Sequence, residues 1–150
     1  MCLPTFTSHP DEKRDIEPAV LAYLRNAGLA AHVVDGVFDL LVESPRGALD
    51  SYLEIKVRLK GGNRSCPISP AQWRFLSTHT APSRMEANLR MLIYDHGSRK
   101  YAFATPSQLG SGVQVKPPRT TSYISASCLQ SLPWADECVT DKALMAWIHR

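Results

Sequence analysis

Two carboxylates and a lysine stand where strand geometry can bring them together. Glu54 and Lys56 are two residues apart in the apolar run 51–59, so their side chains share one face of a β-strand. Asp39 lies in the preceding apolar run 37–42, across a turn-forming Ser-Pro-Arg-Gly segment, and pairing of the two runs would set it beside Glu54. Charges inside such strands are costly unless they are paired or metal-bound. A salt bridge and a metal-binding site are therefore both possible interpretations of these residues.

The elements that must position these residues are read from hydrophobic spacing and turn residues. A first helix is expected from Asp15 as N-terminal cap to Gly28 as its end. Asp-Gly at 35–36, between the apolar runs 30–34 and 37–42, predicts a hairpin. Ser69 and Pro70 are typical of a cap and first helical position. They open a second helix that carries Gln72.

The remaining patterns complete an α/β arrangement. Met91–Tyr94 and Tyr101–Ala104 predict a second hairpin, and Thr140 is expected to cap a final helix that ends at Ile148. Short elements are expected at 113–115 and 127–132. The alternation of helices and strands favours an α/β fold, with a mixed β-sheet flanked by helices, over a bundle or sandwich.

Length and composition indicate a single globular domain over residues 1–150. The chain is 44% hydrophobic and 21% charged, as ordinary globular proteins are. Its longest apolar run, Ala19–Leu24, is far shorter than the roughly 20 residues of a membrane span. The N-terminal residues lack the apolar core of a signal peptide, which predicts a cytoplasmic protein without a membrane partner.

The four cysteines carry little spacing information. They stand at 2, 66, 128 and 138 without a Cys-x-x-Cys pair. The expectation is four reduced thiols, as is usual in the cytoplasm. A metal cluster of Cys128, Cys138 and His149 is the weaker alternative.

Charge is segregated along the chain. Residues 1–54 hold nine carboxylates, whereas 55–85 hold no acid and six bases. An acidic cluster next to a basic tract suits a cation held beside a polyanion. A solvated surface with chance segregation is the alternative.

The motif resembles that of a known nuclease superfamily. Asp39, then Glu54-Ile55-Lys56 on the next strand, then Ser-Pro-Ala-Gln opening a helix after a Gly-rich basic loop, is similar to the PD-(D/E)XK nucleases. The similarity is greatest to the small virus-type replication-repair nucleases and Holliday-junction resolvases. It implies a restriction-endonuclease-like core over about residues 12–104, with 105–150 as an accessory tail. The proline that usually precedes the first acid is replaced by Phe38.

The resemblance implies a role for each motif residue. Asp39, Glu54 and the backbone carbonyl of Ile55 would bind Mg²⁺, which Mn²⁺ would replace. Lys56 would orient the attacking water, and Gln72 would position Lys56 or the scissile phosphate. Glu17 on the first helix would hold metal, although Glu12 and Asp15 are equally placed alternatives. Backbone phosphates of DNA would be bound by a basic set of Arg58, Lys60, Arg64 and Arg74.

The expected activity is therefore Mg²⁺-dependent endonucleolytic cleavage of DNA, selective for structures such as junctions, flaps or ends. The family resemblance also suggests a homodimer. The alternatives are a non-catalytic DNA-binding module on the same fold and a partner-protein-binding module. An exposed apolar patch within 105–150 would favour the second alternative.

Overall fold

The computed structural model describes residues 2–36, 38–58, 66–69, 71–72, 87–110, 113–115 and 122–150. Nine strands lie in this part of the chain: β1 (Ala31–Val33), β2 (Leu40–Val42), β3 (Ser51–Val57), β4 (Cys66–Ile68), β5 (Leu89–Asp95), β6 (Lys100–Ala104), β7 (Val113–Val115), β8 (Ser122–Ile124) and β9 (Trp134–Ala135). A π-helical turn, Glu12–Ile16, leads into the first of the described α-helices, which are α1 (Glu17–Asn26), α2 (Pro106–Gly110), α3 (Ala126–Gln130) and α4 (Glu137–Ile148).

The strands form two sheets. The larger has the order β1-β2-β3-β5-β6-β9, in which β3 and β5 are parallel and every other neighbouring pair is antiparallel. The smaller is antiparallel, with the order β4-β8-β7. The predicted α/β fold with a mixed sheet flanked by helices is confirmed.

Pairing of β2 with β3 sets the register on which the candidate site depends. Leu40 lies opposite Leu53, and Val42 lies opposite Ser51. One step beyond Leu40, the backbone N–H of Asp39 donates to the Leu53 carbonyl at 3.1 Å. Asp39 therefore enters the sheet next to Glu54, as the two-residue strand period predicted.

Both faces of the central sheet are covered, which explains why β5 is apolar at nearly every position. Leu92 and Tyr94 face a cluster that includes residues of α1 and α4. Met91 and Ile93 face a second cluster, which also contains Leu109. The tail expected to be accessory contributes to both clusters, so β5, the parallel neighbour of β3, is packed from either side.

The start of the first helix differs from the prediction. Asp11, not Asp15, is the cap: its carboxylate accepts hydrogen bonds from the N–H groups of Lys13 and Arg14 at 3.1 and 2.7 Å. Asp15 instead accepts from the N–H of Asp11 at 2.7 Å. The helical segment consequently begins about one turn earlier than expected and carries Glu12 and Lys13 toward the sheet.

The final helix also has a different cap. The Asp136 carboxylate accepts from the N–H groups of Cys138 and Val139, at 2.9 and 2.8 Å. Thr140, the expected cap, is buried within the helix. An aspartate four residues upstream of the threonine satisfies the free N–H groups, so the threonine is not needed there.

The N-terminal segment is tied to α4 and to β6. Cys2 and Cys138 form a disulfide, so the expectation of four reduced thiols is wrong for these two cysteines. The Leu3 N–H donates to the Glu137 carbonyl at 3.2 Å, and the Tyr101 hydroxyl donates to the Pro4 carbonyl at 2.5 Å. In the described part of the chain, no helix is long and apolar enough to cross a membrane.

Candidate functional site

The centre of the site is a pair of carboxyl groups on adjacent strands. Asp39 and Glu54 are buried and hydrogen-bonded to each other. The second oxygen of Asp39, Oδ2, accepts the backbone N–H of Ile55 at 2.8 Å. Two acids in contact inside a sheet are unfavourable as two free anions, so their environment must supply positive charge or a shared proton.

Lys56 completes the predicted trio. Its ammonium nitrogen lies 3.7 Å from Oε2 of Glu54, and its side chain is 10% exposed. The expected i to i+2 relationship along β3 is thus met: acid and ammonium share a face. The opposite face of the strand is apolar, with Leu53, Ile55 and Val57 in the core.

Gln72 contacts the Glu54 carboxylate from a different part of the chain. Its N–H donates to the Ser69 hydroxyl oxygen at 3.1 Å, and its side-chain oxygen accepts the Ser69 N–H at 3.1 Å. This reciprocal pair is a capping box, which agrees with the predicted cap at Ser69. The remaining donor of Gln72, Nε2, donates to Oε2 of Glu54. The cap therefore aims the glutamine at the acid.

The N-terminal helical segment supplies two further groups. Oε1 of Glu12 accepts the backbone N–H of Val57 at 3.0 Å, which brings this acid to the end of β3. The Lys13 ammonium donates to Oδ1 of Asp39 and, at 3.0 Å, to Oε2 of Glu17. Of the three acids left open by the sequence, Glu12 and Glu17 thus face the site. Asp15 is engaged at the helix cap instead.

Burial and mutual contact shift the pKa values of these groups in opposite directions. Burial and the hydrogen bond with Asp39 raise the pKa of Glu54. Burial also acts to raise the pKa of Asp39, but hydrogen bonds from Glu54, Lys13 and the Ile55 N–H outweigh it and lower the pKa. Burial raises the pKa of Glu12. The contact between the two groups therefore favours a proton on Glu54 and a negative charge on Asp39.

The donor set fits a hard divalent cation. Carboxylate and carbonyl oxygens with several waters are the ligands of protein-bound Mg²⁺, and Asp39, Glu54 and the Ile55 carbonyl would supply the protein's share. Within the described ranges, no group of three His, Cys, Asp or Glu side chains could hold an ion by itself. Waters would therefore complete the shell. The alternative cluster with Cys138 is excluded, since that sulfur is in the disulfide.

Of the four basic residues expected to bind DNA, Arg58 lies in the part of the chain that the structure describes. Arg58 is buried, and its guanidinium lies 5.5 Å from the centre of the Trp134 ring. Its backbone N–H donates to the Tyr94 carbonyl at 2.8 Å. This arginine is therefore packed into the fold. Lys60, Arg64 and Arg74 lie outside the described residues, and their contact with DNA stays a prediction.

The chain is similar in structure to known proteins, at low sequence identity. Neither a protein-family model nor a curated protein matches the sequence. The Holliday junction resolvase Hjc of Archaeoglobus fulgidus is similar in structure, with 18% identity and a TM-score of 0.48, over 78% of this chain and 86% of Hjc. A nuclease from a fusselovirus is 12% identical with a TM-score of 0.48, over 87% of this chain and 83% of its own.

Sequence reasoning missed Lys13 entirely. The residue lies in a mixed run of charges, Asp11-Glu12-Lys13-Arg14-Asp15, in which no member stands out. The signal that could have found it is the cap at Asp11. Once the helix begins at Glu12, Lys13 and Glu17 are four residues apart and lie on one helix face.

Proposed function

We propose that this protein is a Mg²⁺-dependent endonuclease that hydrolyses DNA phosphodiester bonds. The observation that carries the proposal is the contact of Asp39 with Glu54, with the Lys56 ammonium beside them on the same face of the sheet. The two acids can hold a hard metal ion, and the neighbouring Lys56 ammonium can stabilise a phosphate. This combination suits phosphodiester hydrolysis. Mn²⁺ is expected to replace Mg²⁺.

The proposed roles follow from the contacts of each residue. Asp39, Glu54 and the Ile55 carbonyl would hold the metal ion. When bound, such an ion supplies Lewis-acid activation of water and offsets charge on the phosphate. Lys56, close to Glu54 and nearly enclosed, would orient the attacking water and stabilise the charge that grows on the phosphoryl oxygens.

Gln72 and Glu17 would act on these groups rather than on DNA. Gln72 donates to Glu54 and would fix the orientation of that carboxylate. Glu17 shares the Lys13 ammonium with Asp39 and would contribute negative charge at the edge of the site. Both are proposed positioning residues, because each contacts a group of the central pair or its immediate partner.

The substrate side of the proposal rests on charge. Lys60, Arg64 and Arg74 would bind phosphates, with Arg58 packed at the base of the same tract. Phosphate contacts carry no sequence information. Selectivity would therefore be for DNA structure, such as junctions, flaps or ends. A homodimer in the cytoplasm is the proposed setting, since two cuts on two strands suit two copies.

A partner-protein-binding module would need an apolar docking patch in the tail. Among the described residues of 105–150, Val139 is the large apolar side chain that is exposed. One valine does not make a patch of the several hundred Å² typical of docking sites. The nuclease proposal is therefore preferred over this alternative.

The proposal is tested by incubating purified protein with supercoiled plasmid, branched duplex and single-stranded DNA, each with Mg²⁺, Mn²⁺ or EDTA. We expect cleavage of at least one DNA form in Mg²⁺ and Mn²⁺ and none in EDTA. DNA binding without cleavage in either metal would favour the non-catalytic module. If the protein neither binds nor cleaves any of these DNA forms, both the nuclease and the DNA-binding module are rejected.

A further inference from the structure

Lys13 reaches two acids of the candidate site from outside it. Its ammonium donates to Oδ1 of Asp39 and, at 3.0 Å, to Oε2 of Glu17. Both carboxylates are nearly enclosed, with side chains 6% and 12% exposed, whereas Lys13 itself is 65% exposed. An open, flexible side chain thus ends on a buried anion, an arrangement in which only the ammonium end is held.

The position of this ammonium conflicts with the proposed metal ion. Oδ2 of Asp39 is already engaged by the Ile55 N–H, so Oδ1 is the oxygen that lies toward Lys13. A metal ion bound to Oδ1 would lie close to the Lys13 ammonium, which contacts the same oxygen. The two positive charges would then repel each other strongly. One of the two must leave.

The Lys13 side chain can reorient once its ammonium is displaced from Asp39. The side chain extends from the helical turn before α1 and is 65% exposed, so most of it is open to solvent. Lysine carries a point charge on a four-carbon chain that reorients readily. A phosphate brought to the carboxylate pair would lie within the same neighbourhood as the ammonium.

We propose that Lys13 is an exchangeable cation: it neutralises Asp39 before metal binds, is displaced by the divalent ion, and then contacts a phosphate of the bound DNA. This inference rests on the proposed function. It adds a residue to the site and a physical link between metal binding and DNA binding. By reciprocity, a metal ion that frees Lys13 strengthens DNA binding, and DNA that captures Lys13 strengthens metal binding.

The metal half is tested by calorimetric titration of DNA-free protein with Mn²⁺. Lys13→Met, which keeps the apolar stem, should bind Mn²⁺ about tenfold more tightly, because a charge-assisted contact no longer competes. Lys13→Arg should restore the wild-type affinity. Arg14→Met removes the same charge from a side chain that is 79% exposed and pairs with Asp15, and should change affinity less than about twofold.

Equal affinities in wild type and Lys13→Met, with measurable Mn²⁺ binding in both, would overturn the inference and leave the proposed function standing. Absence of Mn²⁺ binding in wild type would reject both. Thermal melts of each variant report folding independently. A fall in affinity that Lys13→Arg does not restore would assign Lys13 to the scaffold and overturn exchange.

The DNA half is tested by the salt dependence of DNA binding with and without Ca²⁺. In Ca²⁺, Lys13→Met should flatten the log–log slope by about one unit, as expected for one lost phosphate contact. Without metal, the slopes of wild type and variant should coincide, since the ammonium is held by Asp39. Coinciding slopes in Ca²⁺ would overturn the phosphate contact.

Discussion

The backbone N–H of Ile55 lies 2.8 Å from Oδ2 of the Asp39 carboxylate and thereby joins the loop before β2 to the centre of β3. This bond orients Asp39 toward Glu54 rather than toward solvent. The Asp39 carboxylate is thus held by a backbone group. Side-chain substitutions elsewhere should leave this hydrogen bond in place. The orientation gives the carboxylate pair its proposed capacity for a divalent ion.

Metal should therefore stabilise the fold through this pair. At 100 times the dissociation constant, Mn²⁺ is expected to add about 2.7 kcal/mol to the free energy of unfolding, measured as a rise in melting temperature. Asp39→Asn and Glu54→Gln should each abolish the rise. Asp35→Asn changes an exposed acid of the β1–β2 connection and should leave it intact. A persistent rise in both site variants would place the metal elsewhere.

Gln72 and Ser69 form a matched pair of substitutions. Ser69→Ala and Gln72→Ala both break the capping box and should each cost about 1 kcal/mol of stability. Only Gln72→Ala also removes the donor to Glu54. We expect a fall in cleavage rate of about tenfold or more for Gln72→Ala, and a near wild-type rate for folded Ser69→Ala. Equal rates in the two variants would confine Gln72 to the cap.

Substitution of Arg58 should lower stability, whereas substitution of other residues of the basic tract should weaken DNA binding. Because its guanidinium packs on Trp134, Arg58→Ala is expected to cost about 1–2 kcal/mol of stability. Changing Lys60 and Arg64 together to Ala should instead flatten the log–log salt slope of DNA binding by about two units at unchanged stability. A salt slope unaffected by the double change would remove these two residues from the DNA interface.

The cysteines are expected to differ in reactivity. Cys66 is buried, its thiol donates to the Val57 carbonyl at 3.7 Å, and burial raises its pKa to about 12. An alkylating reagent at pH 8 should therefore label Cys128 in the native protein and leave Cys66 unmodified until the chain unfolds. Mass spectrometry of the labelled peptides measures this, and early labelling of Cys66 would contradict its burial.

The central pair could be predicted from sequence because strand geometry is periodic. Once 37–42 and 51–59 were assigned to neighbouring strands, the two-residue period put Glu54 and Lys56 on one face. The turn between the strands then set Asp39 beside them. The cap at Ser69 could likewise be predicted, because Ser69 followed by Pro70 is typical of a cap and the first helical position.

The N-terminal contribution could not be predicted in this way. Asp11 and Asp15 are both suitable caps, and residue type alone does not decide which carboxylate meets the free N–H groups. That choice shifts the helix start and decides whether Lys13 reaches Asp39. The Cys2–Cys138 bridge is similarly hidden, since it joins residues 136 positions apart that approach only in the folded chain.

The most direct test of the account is the cleavage rate of Lys56→Met beside wild type, on the DNA form that wild type cuts in Mg²⁺. Methionine keeps the stem of the side chain and removes its charge. The account predicts a folded variant that still binds DNA in Ca²⁺ and retains the Mn²⁺-dependent melting shift. Its cleavage rate should be lower by about 10²–10³-fold. A folded Lys56→Met variant that cleaves at the wild-type rate would contradict the account.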